Sequence, residues 1–453
     1  MKKKNIDFFL LFILCLLAIE IQAQEKWSLK QCIDYAFEHN ISIRQQQNRI
    51  KKLKIENNTL RNSYLPDIKA GTSQKLDFGR SLNRSNTYGD NNTQNSSFSM
   101  SAEMILFSGF KRVASIKKNR FDLLAAEANK RLIENNLELD VTTCYFQILL
   151  NREIYYIAQK QIQLTKEQQI RTELLIENGK APQSQFYDIK AQLSNDELAA
   201  IEAGNILRLS VLELAQLLEL DRREGFEVDS LDAEVCQIDT LHPEQIYVAA
   251  LNCMPQIKQA YYSLQGSLKE IKIARSGYYP ALLMGAGISS SYYHITNGEN
   301  TSFGQQFRNN MQKSIYFTLS IPIFDRMAAR NNVQSVRVEI NNAKLTLENE
   351  KKRLYKDIEK AYMDVVNAYE KYNSTLKSVK ANEEAHRYAL EKYAAGKSAV
   401  YEYNEIKMKL ADALSQQAQA KYTYLLKEKI LQFYSCTPLT GAVSYTHLRA
   451  HET

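Results

Sequence analysis

Two carboxylates three residues apart, Glu402 and Glu405, are the most suggestive chemical pair in the chain. They follow Gly396 and Lys397 at what reads as a helix start, so they share one helical face. The helix dipole favours acids there whatever the protein does. They acquire a function if symmetry repeats them around a pore, because a ring of carboxylates attracts cations and repels anions. A parallel set lies 217 residues earlier, where Gly179 and Lys180 precede Gln185 and Asp188. In that set Gln185 stands where the later one has an acid. Other chemistry is sparse. There is no nucleophile motif, no Gly-rich phosphate loop and no C-x-x-C, and the 6 His are scattered. Neither an enzyme nor a cofactor is expected.

The elements that must position these acids are unusually long. No Gly or Pro occurs between Gly109 and Gly179, or between Pro322 and Gly396. A helix of roughly 70 residues rises about 105 Å, against about 11–12 residues for an ordinary globular helix. The second run has a seam: Val333, Val336, Ile340, Ala343, Leu347, Leu354, Ile358, Ala361, Val365, Ala368, Tyr372 and Val379. Its period is near 3.5, as in helices packed knobs-into-holes. Phe121, Leu124, Ala128, Leu132, Leu139, Phe146 and Leu149 mark the first run less regularly. Return helices are expected from Ser184 to Leu218 and from Val400 to Phe433, after turns at Gly179 and Gly396. Helices of about 35 residues are expected from Ser28 to Ser63 and from Pro243 to Ser276, with Ser28 as N-cap and Pro243 in the first turn.

The chain is duplicated. Gly179, Lys180, Ile189, Lys190 and Leu193 recur 217 residues later as Gly396, Lys397, Ile406, Lys407 and Leu410, and Phe107 recurs as Phe324. Tyr64-Leu65-Pro66 is echoed by Tyr278-Tyr279-Pro280 at a shift of 214. The expected organisation is a signal peptide (1–23), a first repeat (24–218), a linker (219–241), a second repeat (242–436) and a tail (437–453). From about residue 442 the tail has no helical pattern. It looks foreign to the gene, as from read-through at an assembly join, so His447 and His451 are not read as metal ligands.

Within each repeat the period switches from helical to two. Ile315, Phe317, Leu319, Ile321 and Ile323 alternate with Tyr316, Thr318 and Ser320. Phe98, Met100, Ala102, Met104 and Leu106 alternate with Ser99, Ser101 and Glu103. Strands are expected at about 67–78, 98–107, 280–293 and 314–324, each near the length of a tilted membrane strand. The connections Ser81–Ser97 and His294–Lys313 are polar. Four strands cannot close a membrane barrel alone, so closure would take several chains. The 27 Tyr suit interfaces that are wet on one edge.

Lys2, Lys3 and Lys4 precede an unbroken apolar run of 12 from Phe8 to Ile19, which reads as a secretory signal. Bulky Ile13 and Leu14 before Cys15 argue against lipidation. No other apolar run reaches the 18 or so residues of a membrane helix, so membrane contact would come through strands. The remaining cysteines, Cys32, Cys144, Cys236, Cys253 and Cys436, are widely spaced and read as small buried residues. The net charge of +7 is modest, with acids and bases interspersed, and argues against a nucleic-acid partner.

The order of helix, strand pair, long helix and return helix, made twice behind a signal peptide, resembles the TolC-like outer membrane efflux protein family. The local match is Tyr393-Ala394-Ala395-Gly396 followed by Glu402 and Glu405. The resemblance covers about residues 25–436. It implies a mainly α fold with a β membrane part, in which a homotrimer forms a twelve-stranded barrel and a coiled-coil tube of twelve helices. It implies an exit duct in the outer membrane of a Gram-negative bacterium, reaching into the periplasm. There the duct passively conducts substrates from an inner-membrane resistance-nodulation (RND) or ABC transporter through a periplasmic adaptor. By resemblance, Glu402, Glu405, Asp188, Gln185 and Tyr393 belong to the periplasmic gate. Gly179, Lys180, Gly396 and Lys397 mark the hairpin tips that an adaptor would meet. Gln185 and Ser398 depart from the family pattern, which has an acid and a base there. The competing class is a periplasmic coiled-coil scaffold or adaptor without a pore. Such a protein would show one hairpin flanked by small Gly-rich strand domains, not two equal copies.

Overall fold

The computed structural model describes residues 26–82, 86–90, 92–220, 225–230, 235, 242–296, 298–395 and 397–436. The expected signal peptide, the tail with His447 and His451, Cys15, Cys236, Gly396 and most of the linker lie outside the described residues.

The first repeat contributes α1 (Leu29–His39), α2 (Ile41–Asn62), β1 (Asp67–Asp77), β2 (Arg80–Leu82), β3 (Tyr88–Asp90), β4 (Thr93–Ser108), α3 (Lys111–Glu177) and α4 (Gln183–Leu217). The second contributes α5 (Pro243–Cys253), α6 (Pro255–Arg275), β5 (Ala281–Ile295), α7 (Phe303–Asn309), β6 (Gln312–Ser320), α8 (Ala328–Ala394) and α9 (Val400–Tyr434). The long helices α3 and α8 have 67 residues each and the return helices α4 and α9 have 35 each, so the two copies match in length as in sequence.

The expected helices at 28–63 and 243–276 are each broken once. Asn40 is extended (φ −61°, ψ 128°), and its side chain accepts from the Ser42 and Ile43 amides, ending α1 and capping α2. Met254 is extended (φ −64°, ψ 126°) because the following Pro255 disfavours helical backbone before it. The two breaks are 214 residues apart, the same shift as the proline turns. Ser28 does cap α1, in a reciprocal box with Gln31.

The contacts divide the chain into two compact units, and each repeat contributes to both. One unit comprises residues up to Gln46, Lys130–Pro255 and from Lys351 onward; the other comprises Gln47–Asn129 and Gln256–Glu350. The first unit is helical. Leu354, Ile358, Ala361 and Val365 of the α8 seam are buried in it, as the 3.5 period requires. On α3 the expected positions Ala128, Phe146 and Leu149 are buried, and the neighbouring Val141, Tyr145 and Ile148 are buried still more completely. Tyr145 donates to the Asp229 carbonyl at 2.9 Å, Arg152 donates to the Val228 carbonyl at 2.7 Å, and Trp27 forms a parallel bridge with Val228. Cys32 is buried as expected, but Cys253 and Cys436 are not isolated apolar residues: they form a disulfide, with Cα atoms 6.6 Å apart. A bond across 183 residues leaves no local sequence signal.

The second unit holds an antiparallel sheet in the order β1-β4-β5-β6. Cross-strand rows give it two unlike faces. Ile68, Ala102, Ala286 and Ile315 are direct neighbours in one row, and Ala70, Met100, Ile288 and Lys313 in another. The opposite face carries rows such as Gly71, Ser99, Ser289 and Gln312. β1 and β6 are the sheet's two edges. Three boundaries differ from expectation. β4 starts at Thr93, inside the expected 81–97 loop, which also holds the β2–β3 hairpin. β6 ends at Ser320, so Ile321–Phe324 leave the strand, and α7 occupies the 294–313 connection. Gly109 turns β4 into α3 with φ +61°, and a Cβ there would meet the Ser276 carbonyl and Tyr279 Cβ at 2.8 Å each. No described helix is long and apolar enough to cross a membrane.

Candidate functional site at the ends of the helix pairs

The two helix-pair turns close in the same way. The Lys180 amide donates to the Leu175 carbonyl at 2.8 Å, and the Lys397 amide donates to the Lys392 carbonyl at 2.9 Å. These five-residue closures satisfy carbonyls that a helix end would otherwise leave open. Gly179 supplies the left-handed conformation, with φ +68°. Lys180 and Lys397 are exposed, as is Asp188, while Gln185 is half-buried.

Beside these turns four helices bring polar residues together. Tyr393 near the end of α8 stacks on Tyr403 of α9, with centroids 5.2 Å apart and planes 14° from parallel. Its hydroxyl lies 3.2 Å from the Thr172 hydroxyl of α3, and Arg171 donates to the Ala394 carbonyl at 3.4 Å. Thus Tyr393 joins the two copies side chain to side chain. The Tyr403 hydroxyl lies 3.3 Å from Nε2 of His386. Burial first, and then the Lys407 ammonium, hold the His386 imidazole below the usual histidine range.

Sequence reasoning missed the centre of this cluster. Lys407 is 1% exposed, and its ammonium donates to the Thr165 hydroxyl and to Asp196 Oδ2, the latter at 3.2 Å. Thr165 donates to the same carboxylate oxygen at 2.5 Å, and Gln192 donates to the other at 2.7 Å. Burial pushes the Lys407 ammonium below the usual lysine range, against the pull of Asp196. Gln161, Gln168 and Asn404 carry buried polar side-chain atoms with no partner among the described residues. This seam of α3, α4 and α9 is therefore polar and incompletely satisfied, unlike the apolar α8 seam. The available signal was Lys407 itself, which recurs in both copies as Lys190 and Lys407 at a shift of 217.

Glu402 and Glu405 are both exposed in the first turns of α9 but are not equivalent. Ser398 donates to Glu402 at 2.7 Å. Lys409 donates to Glu405 at 2.6 Å, and that contact holds the Glu405 carboxyl below its usual range. Glu402 is thus a hydroxyl-bonded acid, and Glu405 an acid beside a lysine. No group of His, Cys, Asp and Glu among the described residues could hold a metal ion.

The described geometry has relatives. A family model described as outer membrane efflux protein matches twice, over residues 32–219 and 246–435. No curated protein matches the chain. Among solved structures, CusC superposes with a TM-score of 0.76 at 15% identity, covering 90% of this chain and 91% of that one. The CmeC outer membrane channel of Campylobacter jejuni gives a TM-score of 0.76 at 15% identity, covering 91% and 87%. The open MtrE outer membrane channel of Neisseria gonorrhoeae gives 0.71 at 16% identity, covering 90% and 88%. The double match covers most of both repeats and spares the 220–245 segment between them, so the chain belongs to the outer membrane efflux protein family.

Proposed function

We propose that this chain is one third of a trimeric exit duct in the outer membrane of a Gram-negative bacterium. The duct passively conducts substrates handed over by a periplasmic adaptor and an inner-membrane transporter of the RND or ABC class. The observation that carries the reading is the sheet with one apolar face, one serine-rich face and two edges, β1 and β6. Open edges in lipid leave backbone groups unpaired at several kcal/mol each. Pairing β6 of one copy with β1 of the next removes both edges. Three copies give twelve strands, with hydroxyls facing a wet lumen and Ile68, Met100, Ile288 and Ile315 facing lipid. The paired turns at Gly179 and Gly396 form the periplasmic tips, with Lys180 and Lys397 meeting the adaptor.

In this reading the Tyr393–Thr172 contact and the Lys407–Asp196–Thr165 cluster hold the two helix pairs of one chain together beside the periplasmic mouth. Glu402 and Glu405 face that mouth, with Asp188 and Gln185 as their counterparts on α4. Purified protein should therefore behave as a trimer in detergent, fractionate with the outer membrane and open ion-conducting pores in planar bilayers. A folded monomer, or a trimer that never conducts, would refute the proposal. Cysteines at Ala181 or Ser398 should crosslink to an adaptor hairpin, and cysteines in the 86–90 segment should not.

A further inference from the structure

Short helix α7 is docked on the apolar face of the sheet, not on the serine-rich one. Phe303 packs edge-on to Phe98 at 6.0 Å and to Tyr292 at 5.3 Å, and Phe307 packs on Phe98 at 5.6 Å. Phe98 pairs with Ser290, and Ser96 with Tyr292, so Phe98, Ser290 and Tyr292 share that face. Ser290 donates to the Phe307 carbonyl at 2.7 Å. Gln306 bridges to both backbone groups of Tyr293, and Asn310 donates to the Ser291 carbonyl at 2.7 Å. The β5–β6 connection is therefore pinned against the apolar side of the sheet.

Two clefts open there. One, of about 430 Å³, lies under Phe307 and Met311 over Phe98, Met100 and Ile288. The other, of about 580 Å³, continues past Met100 and Ile288 to Ile315 and Lys313. They share Met100 and Ile288, so they adjoin as one groove whose exposed lining is mainly apolar, with Lys313 in its wall. Lys313 is exposed on this face and pairs with no carboxylate among the described residues. Arg308 on α7 is also exposed, and its guanidinium is bound only by the Gly304 carbonyl among the described residues. Cations on a lipid-facing wall are costly unless anionic headgroups reach them, and long side chains extend towards those headgroups.

Building on the reading of this sheet as a barrel wall, we propose that the groove is a binding site for one phosphorylated outer-leaflet glycolipid of the lipid A type. An acyl chain lies between Met311 and the Met100–Ile288 row, and Lys313 and Arg308 meet its phosphates. The apolar length, the exposed cation Lys313 in the wall of the second cleft and the exposed Arg308 on the adjoining α7, which itself lines neither cleft, favour a lipid with both an acyl chain and a phosphate. α7 then acts as a lipid-facing collar at the membrane surface.

The test is native mass spectrometry of the intact trimer titrated with purified bisphosphorylated lipid A, alongside zwitterionic phosphatidylethanolamine. Lipid A should bind with one molecule per chain. Lys313→Gln with Arg308→Gln should weaken it by roughly tenfold or more, since each cation near a charged lipid surface contributes measurably. Lys69→Gln, on the opposite face, should not. Phe307→Ala should also weaken it, by opening the groove. Equal lipid A binding by the double variant and the parent protein, or equal binding of phosphatidylethanolamine, would overturn the site. Conductance of the same preparations separates the two proposals. A conducting trimer whose lipid binding ignores Lys313 and Arg308 refutes only the groove, whereas a monomer refutes the duct.

Discussion

Lys407 and Asp196, on the return helices of different repeats, form an ion pair at 3.2 Å whose side chains are 1% and 11% exposed. Removing one partner of an enclosed pair leaves an uncompensated charge, which typically costs about 3–5 kcal/mol. Asp196→Ala is therefore expected to destabilise the helical unit by about that amount, read from thermal or denaturant unfolding of the trimer in detergent. Lys407→Met with Asp196→Leu should recover most of the loss, because the pair is then replaced by apolar volume. If Asp196→Ala alone is neutral, the pair is hydrated and does not clamp the helices.

Tyr393 and Thr172 join the repeats through one neutral hydrogen bond, for which a net contribution of about 0.5–1.5 kcal/mol is normal. Tyr393→Phe keeps the stack on Tyr403 and removes only that bond. The open probability of single channels should rise by about two- to tenfold, the Boltzmann equivalent of that energy. Unchanged gating would show that the Tyr393–Thr172 contact plays no part in opening.

His386 gives the cluster a pH dependence of defined sign. Its imidazole is held below the ordinary histidine range by burial and by Lys407, so the folded state favours the neutral ring. The associated stability is present above the unfolded pKa, about 6.5, and is lost as pH falls through the lower folded value. The parent protein should lose thermal stability on acidification below about pH 6.5, and His386→Gln should flatten that part of the profile. An identical profile in the variant would assign the acid sensitivity to other groups.

Glu402 and Glu405 should differ in their effect on ion selectivity. Lys409 sits on Glu405, so the net carboxylate charge at a mouth built from these residues is smaller than their number suggests. Glu402→Gln with Glu405→Gln should lower cation preference and abolish block by multivalent cations in planar bilayers. Lys409→Gln should raise cation preference. The trimer should survive both changes, because all three side chains are exposed. Unchanged selectivity in both variants would leave the acids as helix-start residues without a pore role.

Cys253 and Cys436 tie the end of α5 to the end of α9. In oxidised, denatured protein Cys32 and Cys144 should react with a thiol reagent, and Cys253 and Cys436 should react only after reduction. Cys253→Ser should lower stability by about 2–5 kcal/mol, the usual range for losing a native disulfide. Labelling of Cys253 and Cys436 without reduction would show that the bond is absent in the purified protein.

Much of the fold was legible because its signals are local or strictly periodic. Absence of Gly and Pro marked α3 and α8, a 3.5 period marked the α8 seam, and a period of two marked the two sheet faces. The tandem repeat showed in Gly179 and Gly396 and in the proline turns. The breaks at Asn40 and Met254 were also written locally, as an Asn that caps forward and a residue before proline, but each lay inside a helical pattern that outweighed it. The candidate site was only half legible. Tyr393, Glu402 and Glu405 sit beside a turn that marks itself, whereas Lys407 on a charged helix reads as one more solvated lysine. Only tertiary packing decided that Lys407 would be enclosed and meet Asp196, 211 residues away. The same holds for the Cys253–Cys436 bond and for the face on which α7 docks. Burial and partner choice depend on which surfaces meet in space, and local periodicity does not encode them.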